Sequence, residues 1–193
     1  MRRHFATIAA LALAGTLAGA GSAGAQDLRG RVPETGMTGV SFSTGITIPR
    51  DDSLETGPTL IVKGERYVTP RVSVRGLFGG SWNDVTGQGF TGTSRPIMLN
   101  GNVVYNWEGG KVHPYVTAGV GWYHYRFEEA QFEDSANKFG LNFGGGVEWF
   151  ISRRDSLTGE AIYHAITDDE VRSPLMLYKP SFWTIAGGYK KYF

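Results

Sequence analysis

The chain contains no cysteine among its 193 residues. This excludes a disulfide framework, a thiolate metal site and a cysteine nucleophile. Charge of one sign is also missing: 19 Lys and Arg stand against 18 Asp and Glu, a formal net charge of +1. A chain this close to neutral carries no electrostatic signature of a nucleic-acid partner. Beyond residue 25 no apolar run approaches the ~20 residues a spanning helix needs, so the mature chain is expected to have no helical anchor. Histidine is scarce at 4, and no two are spaced as H-x-x-x-H for a metal on one helix face. Gly144-Gly145-Gly146 lacks the Lys-Ser/Thr that follows a phosphate loop. No metal, cofactor or catalytic residue is therefore assigned from motifs.

Glycine, by contrast, is abundant at 28 residues, roughly twice the usual ~7%. Much of the excess falls inside alternating segments, where glycine marks close backbone approach or tight curvature. The N-terminus carries an export signal. Arg2 and Arg3 precede an apolar stretch from Phe5 to Ala20, and Ala23-Gly24-Ala25 has the A-x-A form of a cleavage site. Residues 1–25 are read as a signal peptide and residues 26–193 as one mature domain. A retained helical anchor is the alternative, but the stretch is short and rich in small residues.

Eight segments of the mature chain alternate with period two, the spacing that puts one side of a strand on each face. They cover about 36–48, 57–67, 71–80, 96–107, 112–127, 138–151, 156–166 and 181–193. The sixth is the clearest. Phe139, Leu141, Phe143, Val147 and Trp149 occupy one face, and Gly140, Asn142, Gly144, Gly146 and Glu148 the other. A soluble sandwich has the same period, but three features favour a membrane barrel. Aromatics stand near strand ends (Tyr67, Trp82, Tyr105, Trp107, Tyr115, Trp149 and Tyr192), as in interfacial girdles. Short turns at 68–70, 108–111 and 152–155 alternate with longer polar loops at 49–56, 81–95, 128–137 and 167–180. The strand number is even, and ~9–11 residues suffice for a tilted strand to cross. The expected fold is all-β: an eight-stranded antiparallel up-and-down transmembrane β-barrel in the outer membrane of a Gram-negative-type bacterium.

The run Lys138 to Ile151, followed by Ser156 to His164, resembles the small outer-membrane β-barrel family, which includes OmpA-like, OmpX-like and opacity-type porin barrels. Gly144, Gly145, Gly146, Glu148 and Trp149 match a glycine-rich strand ending in Glu-aromatic. Leu157, Glu160 and Tyr163 match the Leu-x-x-Glu-x-x-Tyr strand that follows, and His113 to Gly121 is similar to the family's Pro-Tyr-x-x-x-Gly-x-Gly strand. The resemblance implies that Tyr189, Tyr192 and Phe193 form a C-terminal signal read by the barrel-assembly machinery. Lys191 departs from it, standing where a hydrophobic residue is usual.

The face opposite the apolar one carries Lys63, Glu65, Arg75, Glu148, Glu160, His164 and Lys190. Eight strands enclose a space that side chains can fill, so these are expected to form an interior polar network. An ion path is the alternative. A lipid A-modifying enzyme is a third reading, because barrel deacylases pair a His with a Ser two residues on. Here His164 is followed at that distance by Ile166, so the pattern is broken. His113 precedes a turn proline, His124 lies near an outer strand end, and His4 belongs to the signal. Acidic groups such as Asp168-Asp169-Glu170 make the loops polar. Trp82, Phe90, Phe132, Leu175, Met176, Leu177 and Tyr178 are apolar residues available for contact. The function expected is structural or surface-interactive, through four extracellular loops. The expected partners are outer-membrane lipid, lipopolysaccharide and the assembly machinery, with an unidentified surface ligand and no nucleic acid. A small porin-like channel is the runner-up.

Overall fold

Period-two alternation cannot give a helix one apolar stripe, and here it yields strands throughout. The computed structural model describes residues 33–50, 54–87, 90–107, 110–129, 132–166, 171–172, 177–178 and 181–193. The signal peptide assigned to 1–25, and loop residues Leu175 and Met176, lie outside them. The strands are β1 Thr38–Pro49, β2 Gly57–Tyr67, β3 Val72–Ser81, β4 Asn83–Gly87, β5 Phe90–Asn106, β6 Val112–Glu129, β7 Phe132–Phe150, β8 Asp155–Ile166, β9 Val171–Arg172, β10 Leu177–Tyr178 and β11 Phe182–Tyr192.

The wall runs β3-β2-β1-β11-β8-β7-β6-β5, and β5 pairs back onto β3 to close it. All pairings are antiparallel. Closure leaves no edge strand in the lipid, where an unpaired backbone group costs several kcal/mol. The chain ends meet at the β1/β11 seam, where the Phe193 N–H donates to the Thr38 carbonyl at 2.9 Å. β3 and β4 are two parts of one wall strand. Both pair with β5 in a single register, Gly80 with Ile97 and Asn83 with Ser94. Between those pairs stands Pro96, which has no N–H to give to the ladder.

Burial alternates residue by residue, as in β2, where Thr59, Ile61, Lys63, Glu65 and Tyr67 are buried and their neighbours exposed. The exposed set is apolar: Val40, Phe42, Leu60, Val62, Val74, Phe78, Leu99, Val103, Val116, Val120, Phe139, Leu141 and Phe143 among others. The buried set is largely polar. This inverts the pattern of a water-soluble domain and fits a wall in contact with lipid.

Two expectations need correction. Segments 81–95 and 128–137 are not simply loops. β4 pairs with the start of β5 out to Gly87 with Phe90, and β6 with β7 out to Glu129 with Phe132. Beyond the lipid both faces of a ribbon are wet, so the ladder continues while the apolar alternation that marks it in sequence disappears. Tyr67, Tyr115 and Tyr192 are not girdle residues either. They are at most 2% exposed and point into the barrel, because each is in step with inward polar residues of its own strand. Tyr105 and Trp107 do face outward, with ring centroids 5.0 Å apart.

Inward glycines make room for large neighbours. A Cβ on Gly144 would meet the Ala161 carbonyl and the Ile162 backbone, whereas one on outward Gly101 meets nothing within 4 Å. Gly144→Ala is therefore expected to destabilise the barrel by about 1–3 kcal/mol, the usual range for overpacking. Gly101→Ala should stay within about 0.5 kcal/mol of the parent. Urea unfolding in micelles measures both, and equal effects would contradict the steric argument.

Candidate functional site

Strand parity sends six charged side chains into the lumen: Lys63 and Glu65 from β2, Arg75 from β3, Glu148 from β7, Glu160 from β8 and Lys190 from β11. All are buried. They form one chain of alternating sign. Lys63 Nζ stands 2.5 Å from Glu160 Oε1 as an ion pair. Glu160 Oε2 accepts from Arg75 Nη1 at 3.3 Å. Arg75 donates through Nε and Nη2 to Glu65 Oε2, at 3.1 and 3.0 Å. Lys190 Nζ lies 2.7 Å from Glu65 and 3.1 Å from Glu148. Three cations thus alternate with three anions across the barrel and join β2 and β3 to β7, β8 and β11.

Neutral donors complete the carboxylates. The Tyr115 hydroxyl donates to Glu160 at 2.8 Å and the Tyr192 hydroxyl to Glu148 at 2.5 Å. Ser73 donates to Glu65 and Ser156 to Glu148. Lys63 also donates to Ser43 Oγ at 3.1 Å. Arg75 lies over the Tyr115 ring at 4.9 Å and Lys190 over the Tyr192 ring at 4.7 Å. Buried charge is tolerated only when paired and hydrogen-bonded in this way.

An aromatic floor and an apolar roof enclose the chain. On the periplasmic side Tyr67, Phe150 and Tyr192 pack together with Met37. Phe150 and Tyr192 stack at 5.6 Å, and His113 lies 4.9 Å from Phe150. Tyr192 spends its proton on Glu148, so Tyr67 donates to Tyr192 across their 3.3 Å contact. A cavity of about 630 Å³ opens to the periplasm below this floor, lined in part by Glu34, Phe150, Arg153, Arg154 and Phe193. On the extracellular side Ile61, Leu77, Met98, Tyr123, Tyr125, Ile162, Ile166, Phe182 and Ala186 form an apolar cluster. The sequence reading placed only charged and polar residues in the interior network and left this roof out. The available signal was parity: Ile61 is in step with Lys63, and Leu77 with Arg75.

His164 belongs to the roof and shares no hydrogen bond with the charged chain. Its Nδ1 is 2.9 Å from the Tyr123 hydroxyl and its Nε2 is 3.3 Å from Thr184 Oγ1, and the ring stacks on Phe182 at 4.5 Å. Among the described residues neither ring nitrogen meets a serine or a carboxylate. Asn100 also faces inward, and neither of its side-chain polar atoms has a hydrogen-bond partner among the described residues. Such a polar gap suits water. No group of three or more potential metal ligands occurs among the described residues.

Of the three residues assigned to the assembly signal, Tyr189 and Phe193 are exposed on the outer wall and Tyr192 is the inward floor residue. Lys191 is paired on the outside with Asp155 at 2.9 Å.

Glu160 touches both Lys63 and Arg75, so removing it leaves, among the described residues, buried Lys63 without a carboxylate and Arg75 with Glu65 alone. Glu160→Ala is expected to cost about 3–5 kcal/mol. Adding Lys63→Met to Glu160→Gln should recover part of that variant's loss. A double-mutant cycle by urea unfolding measures the coupling; strictly additive losses would show that the chain does not act as a unit.

Comparison with known proteins agrees with this architecture. No curated protein sequence matches the chain. Among solved structures, the Ail attachment invasion locus protein of Yersinia pestis superposes with a TM-score of 0.58 at 15% identity, covering 82% of this chain and 99% of that one. Neisserial surface protein A gives 0.65 at 11% identity, covering 82% and 99%. OprG from Pseudomonas aeruginosa gives 0.62 at 14% identity, covering 83% and 97%. Residues 8–190 match the family described as outer membrane protein beta-barrel domain. With its closed eight-strand wall, lipid-facing apolar surface and sealed charged interior, the chain belongs to this family of bacterial outer-membrane barrels.

Proposed function

We propose that the protein is a surface-interaction scaffold, a rigid barrel that holds extracellular strands and loops for contact with a ligand. One observation carries this reading. β8 ends at Ile166, opposite Gly140, yet β6 and β7 stay paired from Gly121 with Gly140 out to Glu129 with Phe132. This ribbon extends past the barrel rim with a single ladder partner for that part of β7 among the described residues. Ribbons and loops held by a rigid scaffold are where binding surfaces concentrate. In its outer half Arg126 of β6 stands directly opposite Arg95 of β5, both exposed.

The lumen does not favour a channel. Its charges are neutralised in pairs, with an aromatic floor below and an apolar roof above. An enzyme reading is disfavoured because the ring nitrogens of His164 bond to Tyr123 and Thr184 within the roof. The protein is therefore read as non-catalytic.

In planar bilayers with verified insertion, the parent is expected to give no discrete conductance steps. Steps altered by Arg75→Ala would overturn the sealed-lumen reading. For the display role, residues 126–135 are replaced by Asn-Gly, a two-residue hairpin turn between Tyr125 and Ala136. The shortened barrel should keep its heat-dependent mobility in SDS. A sulfated glycan is the first ligand to try, given the Arg95–Arg126 pair and because Ail was crystallised with the heparin analogue sucrose octasulfate. Cells displaying the parent should be retained on immobilised heparin and cells displaying the shortened form should not. Equal retention would refute display by this ribbon.

A further inference from the structure

The lipid-facing wall is not uniform. Phe143 of β7, Tyr163 of β8 and Trp183 of β11 are direct cross-strand neighbours, Phe143 with Tyr163 and Tyr163 with Trp183. Their rings touch in series, with centroids 5.5 and 5.1 Å apart. Each stands one residue farther from the periplasmic end of its strand than the one before, counted from Phe150, Asp155 and Tyr192. The row therefore climbs obliquely from the middle of the wall towards the extracellular rim. At its upper end is Arg50, just past the end of β1, whose N–H donates to the Ser181 carbonyl at 3.0 Å. On β8 the row is flanked by small residues, Ala161 and Ala165, and on β7 by Gly145 on one side, with Leu141 on the other and Ile185 beside it on β11. Arg50 and the three rings line one recess of about 370 Å³.

A cation at the rim above an aromatic ramp descending into the lipid is an amphiphilic site. Its chemistry matches one ligand class, an acyl chain carrying an anionic headgroup. The recess opens on the extracellular half of an outer-membrane wall, and the phosphorylated lipid of that leaflet is lipid A. We propose that this recess binds one molecule of lipid A, with a phosphate on the Arg50 guanidinium and an acyl chain along Trp183, Tyr163 and Phe143. Charge complementarity selects the head, and the oblique aromatic row, with Ala161, Ala165 and Gly145 beside it, seats the tail. Arg50 is exposed and its side chain meets no carboxylate among the described residues. Asp51 and Asp52, which follow it, lie outside them. The site is separate from the extracellular ribbon, so it stands or falls independently of the display role.

The test is native mass spectrometry of the full refolded barrel in micelles, titrated with bis-phosphorylated lipid A. Phosphatidylglycerol and dephosphorylated lipid A serve as comparators. Heat-dependent mobility in SDS verifies that each variant is folded. The parent should retain one lipid A. Arg50→Gln should weaken retention about tenfold or more, as expected for losing a charge-assisted hydrogen bond. Trp183→Leu should also weaken it. Arg66→Gln, an exposed arginine near the periplasmic end of β2, should leave it unchanged. Undiminished retention by Arg50→Gln would overturn the proposal, and so would retention of either comparator as tightly as lipid A.

Discussion

Every backbone N–H and C=O inside a bilayer must find its partner within the protein, because lipid offers none. That requirement governs the rest of this structure. It forces the strands into a closed ring, with β5 returning to β3 and β11 zipped to β1. It explains why Pro96, which cannot donate to a ladder, coincides with the break between β3 and β4. The ring in turn sets the two environments that each strand must satisfy, lipid outside and a narrow lumen inside.

The lumen poses the opposite problem from the lipid face. Eight strands leave room for side chains but little for bulk water, so any charge placed there needs protein partners. The alternation of Lys63, Glu160, Arg75, Glu65, Lys190 and Glu148 meets this need by giving every interior member of the chain two neighbours of opposite sign. Tyrosine and serine hydroxyls take up the remaining acceptor positions. These contacts couple strands on different sides of the barrel, which backbone ladders between adjacent strands cannot do. Stacked rings below and a packed apolar cluster above screen the chain from bulk water, which strengthens the contacts in it. A wall held rigid in this way can carry a protruding ribbon at one end.

Much of this was legible in the sequence. Alternation in segments such as Phe139 to Trp149 marks a strand with one apolar face, and the charged residues named from that pattern do point inward. What stayed hidden has specific causes. The outer parts of β6 and β7 were read as a polar loop because ladder hydrogen bonds leave no compositional trace once both faces are in water. The roof stayed hidden because the interior was read from its charged and polar residues, and Ile61, Leu77 and Phe182, though in step with those residues, are apolar. Tyr67, Tyr115 and Tyr192 were placed at the interface by their distance from strand ends, whereas parity turns them inward.

The sequence by itself determined the strand number, the faces of each strand and the membrane setting, because a period of two and the sign of each face are local properties. Only the tertiary structure decided which charges pair. Lys63 meets Glu160, and Arg75 meets both Glu65 and Glu160, because the registers of eight strands and the closure of the ring set which residues share a height in the lumen. The same holds outside, where Phe143, Tyr163 and Trp183 form one row because cross-strand register aligns them. Register is a property of the assembled sheet, and no single segment contains it.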